Sequence, residues 1–344
     1  NRILDANLDR AREGLRVLED IARFALNDSV LSGRLKEMRQ RLAFGDMAAS
    51  LLTARDVEGD GGAFLNTEAE GARADLFSVL EANAKRSQES LRVLEEVGKL
   101  LPQGAPFKEL RFSLYDVEKE MASRLLRREK AAAIRGLYVI IDGQALGQRT
   151  EMELARAAIN GGARVIQLRD KVREKGPLLA VALALRDLCR QRGVVFIVND
   201  HVDLAVAAGA DGVHVGQKDL PVPVVRRQLS IDAIVGCSTN NVDEARRAQQ
   251  EGADYVGVGA LFPTASKPDI RPASLEVLAA VRQAVSLPIV AIGGINLTNA
   301  AAVLAAGADG IAVVSAICSA TDPRYAARQL RAIVEEARRN RRTS

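Results

Sequence analysis

The sequence predicts an α/β protein: a C-terminal (β/α)8 TIM barrel preceded by an all-α helical domain with an internal duplication. Three observations carry that prediction. Beyond about residue 135, short apolar runs alternate with amphipathic stretches eight times in roughly 205 residues, the pattern of a compact barrel of parallel strands. Before about residue 130 the apolar period is 3.6 residues throughout, with no strand signal. Part of that first region also occurs twice: L-D-A-N-L-D-R-A-R-E-G-L-R-V-L-E-D-I-A-R-F at 4–24 returns at 80–100 as L-E-A-N-A-K-R-S-Q-E-S-L-R-V-L-E-E-V-G-K-L, with 10 of 21 positions identical. Shared helicity alone does not produce that match. Two copies at a 76-residue spacing are too few and too long for a solenoid, so a compact pseudo-symmetric bundle is expected. The expected domains are 1–130 and 131–344.

In the first domain Leu4, Leu8, Ala11, Leu15, Leu18 and Ala22 mark the buried stripe of the opening helix. The duplication repeats polar positions as well: Asn7 and Asn83, Arg10 and Arg86, Glu13 and Glu89, Arg16 and Arg92, Glu19 and Glu95. Two readings follow, a network that locks symmetry-related helices or a ligand or dimer site on the pseudo-dyad. The loop 55–64, R-D-V-E-G-D-G-G-A-F, is rich in glycine but lacks the G-K-[ST] ending of a phosphate-binding loop. Helical pattern resumes at Phe107 with Leu110, Leu114, Val117, Met121 and Leu125, and the charged stretch 127–130 leads into the second domain.

Composition narrows the function classes. The chain has 344 residues, 48% of them apolar, enough for two cores. Aromatic residues make up 3% and Trp is absent, which leaves little for base stacking. The net charge of +4 comes from interspersed acids and bases, so neither a nucleic-acid nor a membrane partner is expected. The basic run 338–342 reads as a frayed helix end. Three scattered cysteines, Cys189, Cys237 and Cys318, offer neither a disulfide framework nor zinc spacing and fit a reducing cytoplasm. No secretion signal and no apolar run of membrane-spanning length occurs, and the chain starts at Asn1 rather than Met, which leaves room for a preceding segment. With only His201 and His214 present, His-rich metal sites are excluded and a Ser-His-Asp triad is disfavoured. His214, within G-V-H-V-G, reads as a packed barrel histidine, with a substrate contact as the alternative.

The strands predicted for the barrel are 137–142, 165–169, 195–200, 212–216, 234–239, 255–261, 288–295 and 310–317. Glycines in A-G-A-D-G (208–212 and 306–310) and E-G-A-D-Y (251–255) stop the preceding helices. The site of such a barrel lies at the C-terminal strand ends. The second strand runs out as V-I-Q-L-R-D-K, and strand alternation aims Ile166 and Leu168 at the covering helices and Gln167, Arg169 and Lys171 inward. An amide, a guanidinium and an ammonium in one row suit a polyanion. Other strand ends add Asn199 and Asp200, Asp219, Ser238 and Thr239, Thr264, Ser266 and Lys267, Gly293 and Gly294, and Val314 and Ser315. Asp200 and Asp219, from neighbouring strand ends, form the few-carboxylate set that suits Mg²⁺ keeping waters and taking its other ligands from phosphates. The loops after strands seven and eight commonly bind phosphate through backbone N–H groups. The mouth is therefore expected to take a pyrophosphate with Mg²⁺ and a separate monophosphate.

These residues resemble thiamine phosphate synthases, on Q-L-R-D-K, V-N-D-H-V-D-L-A, A-D-G-V-H-V-G-Q-K-D, G-C-S-T, F-P-T-A-S-K and the final G-G-I with V-V-S, over about 136–340. The resemblance implies a pyrimidine diphosphate held by Gln167, Arg169, Lys171, Asn199, Ser238 and Lys267, with Arg169, Lys171, Ser238 and Lys267 acting in catalysis. It implies Mg²⁺ on Asp200 and Asp219, and a thiazole phosphate on Thr264, Ser266, Gly294, Val314 and Ser315. It further implies that pyrophosphate departs first, leaving a pyrimidine methyl cation stabilised by its own amino group, which the thiazole nitrogen then attacks. The family loop usually reads T-x-T-K, where this chain has T-A-S-K, so Ser266 keeps the hydroxyl and loses a methyl. The helical half resembles a domain fused to this synthase in some bacteria, with two readings: a pyrimidine phosphate kinase, or a structural or dimerising module. The expected partners are the small-molecule substrates, and a homo-oligomer is compatible with the sequence. Competing readings are a thiazole tautomerase-like barrel, which needs no Gln167, Arg169, Lys171, Asp200 and Asp219 set, and a non-catalytic sensor of thiamine precursors.

Overall fold

The computed structural model describes residues 1–43, 48–55, 73–100, 106–263 and 273–343. The chain divides into two compact units, Asn1–Leu126 and Arg127–Ser344.

The first unit is helical. Helices α1 (Arg2–Asp20), α2 (Ser29–Arg41), α3 (Ala48–Thr53), α4 (Leu76–Gly98) and α5 (Phe107–Ala133, whose last turns belong to the second unit) follow in order, and α1 ends in a π-helical turn at Ile21–Ala25. The six residues of the predicted stripe on α1 are all buried, in one core with Leu35, Leu91, Leu94 and Leu114. Asp28 caps α2 by accepting from the N–H groups of Val30 and Leu31. The two copies of the repeat, α1 and α4, pack on each other, and they meet at equivalent positions: Ser87 Oγ donates to the carbonyl of Ala11 at 3.3 Å.

The second unit is a closed parallel barrel with strand order β1 to β8. The strands are β1 (Leu137–Asp142), β2 (Val165–Arg169), β3 (Val195–Asn199), β4 (Gly212–Val215), β5 (Ile234–Thr239), β6 (Tyr255–Val258), β7 (Ile289–Ile292) and β8 (Gly310–Val313). Helices α6 (Glu151–Gly161), α7 (Lys175–Arg192), α8 (Val202–Ala208), α9 (Val222–Gln228), α10 (Val242–Gln250), α11 (Leu275–Ala284) and α12 (Ala300–Ala305) follow the first seven strands, and α13 (Ser315–Cys318) and α14 (Pro323–Thr343) follow the last. Strand alternation gives two cores. Val139, Ile141, Ile166 and Leu168 face the helices, while Tyr138, Ile140, Ile197, Tyr255 and Val290 fill the barrel itself.

Several predicted boundaries are corrected. The strand predicted at 195–200 ends at Asn199, because Asp200 turns out of it with φ 61°. The one predicted at 310–317 ends at Val313, and Ser315 opens a short helix instead. The strands predicted at 255–261 and 288–295 shorten to Tyr255–Val258 and Ile289–Ile292. The basic run 338–342 is not a frayed end. Helix α14 continues through it to Thr343, and the guanidinium of Arg341 donates to the carbonyls of Leu304 and Ala308.

The repeated G-A-D segments do more than stop helices. Asp211, Asp254 and Asp309 each accept from a backbone N–H on the neighbouring strand, those of Phe196 (3.0 Å), Val235 (2.7 Å) and Ile289 (2.9 Å). Arg226 and Arg127 pair with Asp254, Arg282 and Arg135 with Asp309, and Lys130 with Asp211 and Asp232. The closed N-terminal rim holds the register that sets the residues at the other end. Among the described residues no helix is long and apolar enough to cross a membrane.

Candidate active site

A cavity of about 510 Å³ opens at the C-terminal ends of the strands. Gln167, Arg169, Lys171, Asn199, Asp200, Asp219, Ser238, Gly294, Val314 and Ser315 all line it. Of the other predicted positions, Gly293 also lines the cavity, Thr239 is buried and does not, and Thr264, Ser266 and Lys267 lie outside the described residues.

The cationic side combines a fixed charge and a mobile one. Arg169 is buried and ion-paired to Asp142, at the end of the adjacent strand β1, directly opposite in the strand register. Among the described residues its Nε is buried with no hydrogen-bond partner, which is costly for a charged group. Lys171 is half exposed and its Nζ lies 3.3 Å from Asp200 Oδ2. The loop that follows β2 is shaped by Asp170, whose Oδ1 accepts from the N–H groups of Val172 and Arg173, both at 2.9 Å.

On the anionic side Asp200 and Asp219 face each other. Burial, and then the charge of Asp219, hold the Asp200 carboxyl above its ordinary range, with Lys171 opposing both. Asp219 Oδ2 accepts from the N–H of Gly216 at 2.7 Å, which fixes its loop. No group of three or more His, Cys, Asp or Glu side chains suited to a metal occurs among the described residues. On the opposite wall Gly293 and Gly294 adopt φ of 97° and 66°. A Cβ on Gly294 would come within 2.7 Å of the Phe262 side chain and the Pro263 carbonyl, so only bare backbone fits there.

The floor is polar. Gln167 Nε2 donates to Tyr138 Oη at 2.9 Å, Tyr138 Oη lies 3.0 Å from Tyr255 Oη, and Tyr255 Oη lies 3.0 Å from His214 Nδ1. His214 Nε2 lies 2.8 Å from Ser238 Oγ. His214 is thus a packed and hydrogen-bonded barrel residue that also reaches the cavity.

Residues 137–317 match the family model for thiamine monophosphate synthase, and residues 2–120 match that of the ThiD2 family. Thiamine-phosphate synthases of Thermosynechococcus vestitus and Synechocystis sp. are 42% and 43% identical to this chain, over 96% of it and 93% and 94% of their own lengths. A solved thiamine phosphate pyrophosphorylase from Pyrococcus furiosus is 40% identical with a TM-score of 0.56, the match covering 60% of this chain and 98% of that one. The chain belongs to the thiamine-phosphate synthase family. It is a transferase of thiamine biosynthesis with thiamine-phosphate synthase activity.

Sequence reading of this synthase missed Asp142, Tyr138 and Tyr255. Alternation along L-Y-V-I-I-D does point Tyr138, Ile140 and Asp142 inward. What the sequence lacks is the pairing that sets Asp142 of β1 against Arg169 of β2 and the barrel that brings Tyr255 of β6 within reach of His214 and Tyr138.

Proposed function

We propose that this cavity joins a pyrimidine methyl diphosphate to a thiazole phosphate, and that Asp200 and Asp219 would hold Mg²⁺ for the reaction. The observation that carries this reading is the convergence of Arg169, Lys171, Asp200 and Asp219 on one cavity. Two facing carboxylates with no third protein ligand among the described residues fit a hard cation that completes its shell from water and phosphate. When bound there, Mg²⁺ would supply charge to a departing pyrophosphate.

The chain's own residues do the rest. Arg169, held by Asp142, presents a planar fork to the diphosphate, and Lys171 follows the leaving group as a mobile charge. Asn199 and Gln167 orient the pyrimidine, and the Ser238 hydroxyl donates to the departing pyrophosphate. The backbone of Gly294, Val314 and Ser315 holds the thiazole phosphate, and the roles that the family resemblance assigns to Thr264, Ser266 and Lys267 complete the reading. Holding two ligands in line supplies much of the rate, and no positioned base is needed once the cation has formed. The test is incubation with both precursors, with and without Mg²⁺, assayed for thiamine phosphate. Absence of product sinks the reading; product that persists undiminished in a chelator sinks the metal.

In the helical unit the duplicated polar set divides. Glu19 is gripped by Arg39 at 3.0 Å and Glu95 by Arg111 at 3.0 Å, which supports a packing lock. Arg10, Glu13, Arg86 and Glu89 are exposed and form no bond among the described residues, which makes them the set that a pyrimidine phosphate kinase activity would draw on. The loop 55–64 lies outside the described residues beyond Arg55, whose guanidinium is taken by Asp5 and Asp9. Supplying the pyrimidine monophosphate with ATP in place of the diphosphate distinguishes a kinase from a structural module.

A further inference from the structure

The floor of the barrel is one directed chain of hydrogen bonds. An amide Nε2 only donates, so Tyr138 Oη accepts from Gln167. The single Tyr138 proton must then go to Tyr255, since the reverse arrangement leaves a fully buried hydroxyl without an acceptor. The Tyr255 proton goes in turn to His214 Nδ1, so the imidazole is neutral with its proton on Nε2, and it donates to Ser238 Oγ. The Ser238 proton is left for the cavity, and so is the carbonyl oxygen of Gln167. Burial holds both phenols above their ordinary pKa, so each keeps the proton that the chain passes on. Space for the tyrosine–histidine pair is made by Gly236, where a Cβ would overlap the Tyr255 ring.

Among the hydrogen bonds of the described residues only one other polarity is self-consistent. Flipping the Gln167 amide reverses every bond, so that the floor donates at Gln167 and accepts at Ser238. The two ends are therefore coupled across the barrel. We propose that Tyr138, Tyr255 and His214 are positioning residues that lock the first polarity, so that the floor accepts from an exocyclic amino group at Gln167 and donates to an anion oxygen at Ser238. This deepens the proposed function and rests on it: the relay makes the site select an aminopyrimidine over its deaminated counterpart with oxygen in place of the amino group.

Two measurements on the full chain test this. The first is the kcat/KM ratio for the amino and oxo pyrimidine methyl diphosphates. The amino group also stabilises the cation, so the ratio itself includes intrinsic reactivity and the reading is its change: Tyr138→Phe and Tyr255→Phe should each cut the wild-type ratio about tenfold, because a released amide can turn. A merely structural role lowers both rates together and leaves the ratio intact, and an unchanged ratio in both variants overturns the proposal. The second is the ¹⁵N spectrum of the two histidines, assigned with His201→Gln. His214 should carry its proton on Nε2, and a proton on Nδ1 overturns the proposal without reference to any variant. If the wild type turns over neither compound, the proposed function fails and the relay's role falls with it. If it turns over the amino compound but the ratio or the tautomer is wrong, only the relay fails.

Discussion

Replacing Asp142 with Ala should destabilise the barrel by about 3 kcal/mol and weaken its grip on diphosphate. The Asp142 and Arg169 side chains are 4% and 9% exposed and pair with each other. Breaking a buried pair by removing one partner costs roughly 3–5 kcal/mol, because the other charge is left uncompensated. The open cavity lets water reach Arg169, which puts the cost at the lower end. The lost bond from the backbone N–H of the exposed residue Gln144 to Asp142 is only partly buried and adds little. For a unit of this size ~3 kcal/mol corresponds to a fall of about 6–12 °C in Tm. Calorimetry of the full chain, following the transition of the larger unit, measures it. Pyrophosphate should recover more stability in Asp142→Ala than in the wild type, because the anion takes the place of the missing carboxylate. The double variant Asp142→Ala/Arg169→Met should be less destabilised than the two single effects summed. A single variant within about 1 kcal/mol of the wild type refutes the reasoning, since no buried charge would then have been left alone.

Arg169→Lys keeps the charge but turns a fork into a point contact, and turnover should fall about 10²–10³-fold; wild-type rates would mean that Arg169 does not touch the diphosphate. Asp219→Asn should weaken Mg²⁺-dependent turnover while thiazole phosphate binding, measured by calorimetric titration, stays near the wild-type value; equal loss of both means that the assignment of the two ends is wrong. All three cysteines are buried, with burial pushing Cys237 and Cys318 up to about 11 and Cys189 to about 12. Alkylation at pH 8, followed by mass spectrometry, should therefore be slow on the folded chain and fast in denaturant. A chain starting at Ala133 loses Arg127 and Lys130, which pair with Asp254, Asp211 and Asp232, so it should melt below one starting at Arg127; equal melting temperatures would show that these pairs contribute nothing.

Strand alternation makes much of the cavity legible in the sequence. Once V-I-Q-L-R-D-K is read as a strand, the inward row of Gln167 and Arg169 follows from the pleat, and the structure has Ile166 and Leu168 against the helices. Local pattern shows less of the strand ends, because hydropathy continues where pairing stops. Val314 and Ser315 look like strand and belong to a cap and a helix. Partners across the barrel are not legible at all. Asp142 and Arg169 lie 27 positions apart and meet only through the pairing of β1 with β2, while Tyr138 and Tyr255 lie 117 apart and meet only across the closed barrel. The aspartates of the G-A-D segments are a middle case, since their recurrence is visible while their use as acceptors for a neighbouring strand requires knowing which strand that is.

The meeting of α1 and α4 at Ala11 and Ser87 bears on the ancestry of the helical unit. A twofold axis that passes between equivalent residues is what a single ancestral copy would have used to pair with itself. The present copies are no longer interchangeable. Gly14 leaves no room for a Cβ, which would come within 2.8 Å of the Asn83 carbonyl and overlap the Ser87 hydroxyl, whereas the equivalent position in the second copy is Ser90. Two first copies would lose the Ser87 hydroxyl and its bond to Ala11, and two second copies would bring a serine side chain into the space that Gly14 keeps clear. After duplication each half has come to carry the complement of the other, which commits the pair to remain on one chain.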